Sequence, residues 1–369
     1  MPALWKEALR KSLHTIERPF DATKRRIKRR FNLYQPIEIQ PYRGYGNRRE
    51  QRILGRVLEN RITRSPTDDD PWWQNAAAMI RRFRTDEIAF CKLKATMFGE
   101  TQQAETDSEG YFDIRFESAP PEQPDNSWHE VTFEVCDSIT GEDDVTACGD
   151  VLIPPGDAQL GVVSDIDDTI LKSSASNLFQ LVRISMMNNA RTRPAVPGAA
   201  AFYRALERGD ASSEAANPFF YVSSSAWNVY DLLEEFMDFH HFPKGPILLR
   251  DLGIDSMKLL KSGHDHKLER IREIMGCYPS LPFLLIGDSG QQDAWLYRDA
   301  CREFPGRVAA VYVHDVKASR REDVEKIGRE IEAEGVPMLL FESALTAAEH
   351  AAKQGFIRED SLDDVADCV

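Results

Sequence analysis

A chain of 369 residues with 42% hydrophobic and 29% charged residues has the makeup of a folded globular protein and length enough for two cores. No window approaches 18 uncharged apolar residues, which excludes a helical membrane span, and the N-terminus lacks the continuous apolar stretch of a signal peptide, so a cytoplasmic location is expected. The net charge of −14 is uneven: residues 1–64 hold 17 Lys and Arg against 6 Asp and Glu, or +11, which leaves −25 for the rest. That asymmetry suits a basic segment facing an anionic surface, attached to an acidic body.

Residues 1–35 form the basic arm. Trp5, Leu9, Leu13 and Ile16 share one helical stripe, Pro19 ends it, and the polybasic run 24–30 follows. A basic amphipathic helix backed by such a run suits peripheral adsorption to an anionic bilayer, each cation contributing on the order of 1 kcal/mol near the surface. The alternative is a stripe docked on the protein itself with its charges solvated. No nucleic-acid-reading module accompanies the charge, and no nucleic-acid partner is expected.

Residues 36–155 carry short β-rich runs at 36–41, 52–58, 89–95, 111–116 and 128–135, with one helical insertion at 71–84 introduced by acids at 68–70. They predict a small, mostly-β sandwich in which Trp72 and Trp73 serve packing. Six scattered cysteines form no CxxC pair and no zinc-spaced cluster, so reduced thiols are expected, a Cys136–Cys148 bridge being the alternative. The punctuation Pro154-Pro155-Gly156-Asp157 marks a boundary. From 156 to 369, apolar strands at 161–165, 219–223, 247–250, 283–288, 308–313 and 338–341 alternate with helices near 199–208, 229–239, 266–275, 293–303, 321–334 and 345–353. This alternation predicts an α/β, Rossmann-like doubly wound parallel sheet.

Three of those strands end in Asp165, Ser223 and Asp288, and ligand sites of open α/β sheets lie at carboxyl strand ends. A carboxylate nucleophile divides phosphoryl transfer into two steps, but its charge must be neutralised before it meets a phosphate dianion. Mg²⁺ held by carboxylates does this, and Asp288 with Asp293 supplies the acids. Lys267 sets a cation beside the same oxygens, and Ser223 a hydroxyl donor. Asp168 and Thr169 brace the turn. Ser224 and Ser225 are rivals to Ser223, and Lys258 and Lys261 rivals to Lys267.

The strings Ser164-Asp-Ile-Asp-Asp-Thr-Ile170, Tyr221-Val-Ser-Ser-Ser-Ala-Trp227, His266-Lys-Leu-Glu-Arg-Ile271 and Leu285-Ile-Gly-Asp-Ser-Gly-Gln291 resemble the motifs of haloacid dehalogenase superfamily phosphatases. More narrowly, they are similar to the actin-patch-protein-type phosphatidate phosphatases, distant relatives of the lipins. The resemblance covers about residues 150–316. It implies Mg²⁺-dependent phosphomonoester hydrolysis, with Asp165 attacking phosphorus and Asp167 protonating the leaving oxygen and then activating water. Ser223 and Lys267 hold phosphoryl oxygens. Mg²⁺ lies between the Asp165 carboxylate, the Asp167 carbonyl and Asp288, with Asp293 orienting the shell.

Fewer than thirty residues separate Thr169 from Pro197, too few for a large cap domain, which favours a phosphate on a bulky or surface-bound molecule such as a phosphorylated lipid. The apolar insert 177–187 is suited to acyl chains or to a flap on the core. Two alternatives stand beside the lipid reading: a soluble phosphatase for another phosphomonoester, and a non-enzymatic binding module, which the full set of acids disfavours. Flotation with anionic vesicles tests the arm: if it adsorbs, removing residues 1–31 lowers vesicle binding, and unchanged binding excludes that role.

Overall fold

The computed structural model describes residues 36–59, 87–120, 127–136, 145–167, 169–170, 195–210, 215–250 and 263–369. The basic arm, the 71–84 helix with Trp72 and Trp73, Asp168, the insert 177–187, Lys258 and Lys261 lie outside the described residues.

The first part is a mixed sheet of β1 (Ile37–Pro41), β2 (Gly44–Gly46), β3 (Gln51–Glu59), β4 (Lys92–Met97), β5 (Glu100–Glu105), β6 (Tyr111–Phe116), β7 (Trp128–Val135) and β8 (Thr146–Leu152). The order is β1-β3-β2-β8-β7-β4-β5, with β6 paired to the other edge of β3. The pairs are antiparallel except β2 with β8. Along β3 every second residue is buried, the period that points one face inward. Ile53, Val57, Leu93, Phe112, Phe116 and Phe133 belong to one buried core formed by this sheet. Sequence patterning misses β2, β5 and β8. Strand β5 reads Glu-Thr-Gln-Gln-Ala-Glu and has no apolar face of its own, but its register with β4 through the Phe98-Gly99 turn imposes the strand. Cys136 and Cys148 are thiols; β8 sets Cys148 opposite Thr132, so the two do not face each other.

The second part is a six-stranded parallel sheet in the order β11-β10-β9-β12-β13-β14. Its strands are β9 (Gly161–Asp165), β10 (Phe219–Ala226), β11 (Ile247–Arg250), β12 (Phe283–Asp288), β13 (Val308–His314) and β14 (Met338–Phe341). The helices are α1 (Ala199–Arg208), α2 (Tyr230–Phe239), α3 (Gly263–Cys277), α4 (Asp293–Glu303), α5 (Arg321–Ala333), α6 (Ala344–Lys353) and α7 (Ser361–Ala366). One apolar cluster joins one face of the sheet to α1, α2, α6 and α7; a second joins the other face to α3, α4 and α5. This is the expected doubly wound sheet. From β9 the strand order runs outward both ways, so the switch point lies between β9 and β12 and opens a crevice beyond their carboxyl ends.

The two sheets meet through the β1–β2 segment. Tyr42 is buried, stacks on Trp227 with ring centroids 4.6 Å apart, and lies 4.3 Å from the Tyr230 ring. Beside it, the Arg43 guanidinium pairs with Glu234 at 2.9 Å and Asp238 at 2.9 Å, while its backbone N–H donates to Tyr230 Oη at 2.7 Å. Tyr278 Oη donates to the Gly46 carbonyl at 3.0 Å, and Asn47 to that of Cys277 at 3.0 Å. Truncating a buried aromatic costs about 3–5 kcal/mol. Tyr42→Ala is therefore expected to destabilise the chain by at least about 3 kcal/mol in urea unfolding; a loss below about 1 kcal/mol would contradict a tightly packed junction.

Candidate active site

The site starts with β9. Val162 enters one core and Val163 the other, so Gly-Val-Val-Ser-Asp runs through the middle of the sheet and carries Asp165 to its carboxyl end, 2% exposed. Next to it β12 delivers Asp288, fully buried, and α4 opens with Asp293. Gly287 permits this approach. A Cβ there would lie 2.6 Å from Asp293 Oδ2 and 2.7 Å from Asp293 Cβ, so any side chain would push α4 off the strand. The Asp288 N–H donates to Asp293 Oδ2 at 3.1 Å, and Asp288 Oδ1 accepts the backbone N–H groups of Gly290 and, at 2.9 Å, Gln291.

From the other side α3 brings Lys267, also buried. Its Nζ lies 2.7 Å from Asp165 Oδ1, 2.9 Å from Asp293 Oδ1 and 3.2 Å from Gln291 Oε1. Burial alone would depress this ammonium, but Asp165 and Asp293 outweigh it and hold its pKa above the usual lysine range. His266 adds no second cation: burial, then Arg270 and Arg250, push it down to about 4.

Ser223 is buried in β10, just past Val222 where the regular pairing with β11 is interrupted, and donates to Asp167 Oδ2 at 3.0 Å. Ser225 closes on it from behind, with Oγ 2.7 Å from Ser223 Oγ. Of the three consecutive serines, Ser223 is thus the one set against an acid of the site.

Among the described residues, one ammonium faces four buried carboxylates. Desolvation, opposed by Lys267 and reinforced by Asp293, Asp167 and Asp288, raises Asp165 well above the carboxylate range. Desolvation and Asp293 push Asp288 up to about 7 despite Lys267 and the two backbone donors. Asp165, Asp288 and Asp293 each offer an oxygen, all within 4.8 Å of one another, while Asp165 Oδ2 and Asp288 Oδ2 are buried without a hydrogen-bond donor. Excess negative charge and hard oxygen donors fit a metal ion. Asp167 is outside this triad and faces Ser223.

Sequence reasoning assigned no role to Gln291, whose side chain accepts from Lys267 and whose carbonyl accepts from Arg320. Its place between Asp288 and Asp293 was the available signal. It also missed Ser289, fully buried, whose Oγ donates to Asp315 at 3.2 Å and accepts the N–H groups of Val316 and Lys317 at 3.0 Å each, tying the β12–α4 turn to the end of β13.

Residues 160–315, which contain every one of these acids, serines and the lysine, match the family model described as phosphatidate phosphatase APP1, catalytic domain. The chain is 28% identical over 198 residues to phosphatidate phosphatase APP1 of Saccharomyces cerevisiae, covering 50% of this chain and 32% of that protein. It is 24% identical over 251 residues to an uncharacterized protein of Schizosaccharomyces pombe, covering 66% of this chain and 40% of the relative. The chain thus spans less than half the length of either relative. Among solved structures, a carbohydrate acetylesterase from Xanthomonas citri aligns at 12% identity over 77% of this chain and 71% of its own, with a TM-score of 0.25, which carries no argument. Residues 160–315 belong to the APP1 phosphatidate phosphatase catalytic-domain family.

Proposed function

We propose that this chain hydrolyses a phosphomonoester through a phosphorylated Asp165, and that the substrate is phosphatidate, converted to diacylglycerol at a membrane surface. The observation that carries the reaction is the buried Asp165 carboxylate at a switch-point strand end, 2.7 Å from Lys267 and within a metal-sized triad of acids. The substrate rests on the family model and on the name of the Saccharomyces cerevisiae relative. The basic arm and the short Thr169–Pro197 interval add support from the sequence.

Asp165, the Asp167 carbonyl and Asp288 would hold Mg²⁺, which when bound neutralises phosphoryl charge as a Lewis acid. Asp293 orients this set, one oxygen on Lys267 and the other on the Asp288 N–H. The Asp165 carboxylate attacks phosphorus as the ester oxygen departs, and protonated Asp167 gives its proton to that oxygen. As a carboxylate, Asp167 then takes a proton from the water that attacks the aspartyl phosphate, which releases phosphate and restores Asp165. The Lys267 ammonium and the Ser223 hydroxyl donate to phosphoryl oxygens as charge builds on them.

Two measurements test this. Asp165→Asn is expected to lower phosphate release from phosphatidate in mixed micelles with Mg²⁺ by at least about 10³-fold, and undiminished turnover would overturn the mechanism. If kcat/KM for phosphatidate does not exceed that for a soluble aryl phosphate, the lipid assignment falls and the alternative substrate class stands.

A third measurement concerns the metal. Asp288 titrates near 7 in the folded chain against 3.8 for the free group. The metal-free fold therefore keeps a proton that the unfolded chain has lost, and its stability falls as pH rises through that window. A bound cation replaces the proton. Mg²⁺ is thus expected to raise Tm more at pH 8 than at pH 6, and Asp288→Asn to remove most of the gain. Equal gains at both pH values would contradict a metal site at these acids.

A further inference from the structure

We propose that Ser225 is a positioning residue that fixes the proton of the Ser223 hydroxyl toward the reacting phosphate, an assignment that rests on the phosphatase reading above. The backbone prepares it. Between β10 and β11 the register runs Tyr221 to Ile247 and Val222 to Leu248, and resumes at Ala226 to Arg250. Four steps along β10 match two along β11, so the serine stretch holds two extra residues, and a bulge of this kind re-aims side chains at strand ends. On a regular strand, residues two apart are separated by roughly 6.5 Å. Here the Ser225 N–H reaches Ser223 Oγ at 3.1 Å and the two Oγ atoms meet at 2.7 Å. The first contact is a local side-chain-to-backbone bond of the kind serine makes in turns.

The direction of each bond follows from proton counting. A hydroxyl has one proton and two acceptor lone pairs. Ser223 spends its proton on Asp167 Oδ2 at 3.0 Å. The 2.7 Å contact must then run from the Ser225 hydroxyl to Ser223, and together with the Ser225 N–H it fills both lone pairs. Both serines are buried. The Ser223 proton has one direction left, toward Asp167 in the resting site and toward a phosphoryl oxygen when substrate enters between them. Ser225 is outside the Asp165, Asp288 and Asp293 triad, and the role assigned to it is exerted through Ser223.

The test uses the full chain with Mg²⁺, hydrolysis of para-nitrophenyl phosphate, and competition by inorganic phosphate. Removing one neutral hydrogen bond corresponds to about a three- to tenfold effect, and removing a donor to a charged group to about tenfold or more. Ser225→Ala is expected to lower kcat/KM about three- to tenfold and weaken phosphate competition comparably, and Ser225→Thr, which keeps the hydroxyl, to restore both. Ser223→Ala is expected to cost about tenfold or more. The double variant should match Ser223→Ala alone within about twofold, because Ser225 has nothing left to orient. If the alanine variant does not fold, Ser225→Cys, similar in shape but a weak donor, carries the same expectation. A Ser225 effect of equal size with and without the Ser223 hydroxyl would overturn the assignment, as would a silent Ser225 beside an essential Ser223. A silent Ser223 would instead remove the phosphoryl-binding reading, and this assignment with it.

Discussion

The contact on which the site depends is the ammonium of Lys267, buried between Asp165 and Asp293. Taking these groups out of water is costly, and among the described residues the Lys267 ammonium alone cannot balance Asp165, Asp167, Asp288 and Asp293. The fold tolerates the excess because main-chain groups are aimed at it: two N–H groups meet Asp288 Oδ1, and a third meets Asp293 Oδ2. What remains is a negative site in which Asp165 and Asp288 have raised pKa values and each keeps a buried Oδ2 that lacks a donor. Such a site is poor for folding and suited to holding a cation.

Two long-range constraints keep that arrangement in place. On one side, the turn after β12 is held by Ser289 to the end of β13 and by Arg320 to the Gln291 carbonyl. On the other, β10 ends in the serine bulge and runs directly into Trp227, which stacks on Tyr42 from the β-rich part. The first sheet therefore braces the strand end that presents Ser223, and the apolar clusters run across the junction, with Tyr42 in one and Tyr45 and Leu152 in the other.

The α/β part was legible in the sequence because its strands are short apolar runs buried on both faces, and its helices carry one apolar stripe. Asp165 and Asp288 could be read together because each ends an apolar strand at the carboxyl edge, whereas β10 runs three residues past Ser223 to Ala226 and α3 starts at Gly263, ahead of Lys267. The β-rich part was less legible. Strand β5 is polar throughout, β2 is three residues long, and β8 starts with small residues, so only tertiary pairing defines them. The pairing of Ser225 with Ser223 was hidden for another reason: it depends on a register shift against β11, which local sequence does not encode. Gln291 escaped because its partner Lys267 is 24 residues away.

In the proposed reaction Asp165 becomes phosphorylated and Asp167 manages the protons. Asp167→Asn separates the two steps: with para-nitrophenyl phosphate, whose leaving group needs no proton, attack proceeds while hydrolysis of the adduct stalls. Rapid acid quench of that variant with Mg²⁺, followed by peptide mass mapping, is predicted to find one phosphoryl group on the peptide carrying Asp165, and none when Asp165 is also replaced by Asn. An adduct on another residue, or turnover of Asp167→Asn at the unsubstituted rate with no adduct, would contradict it.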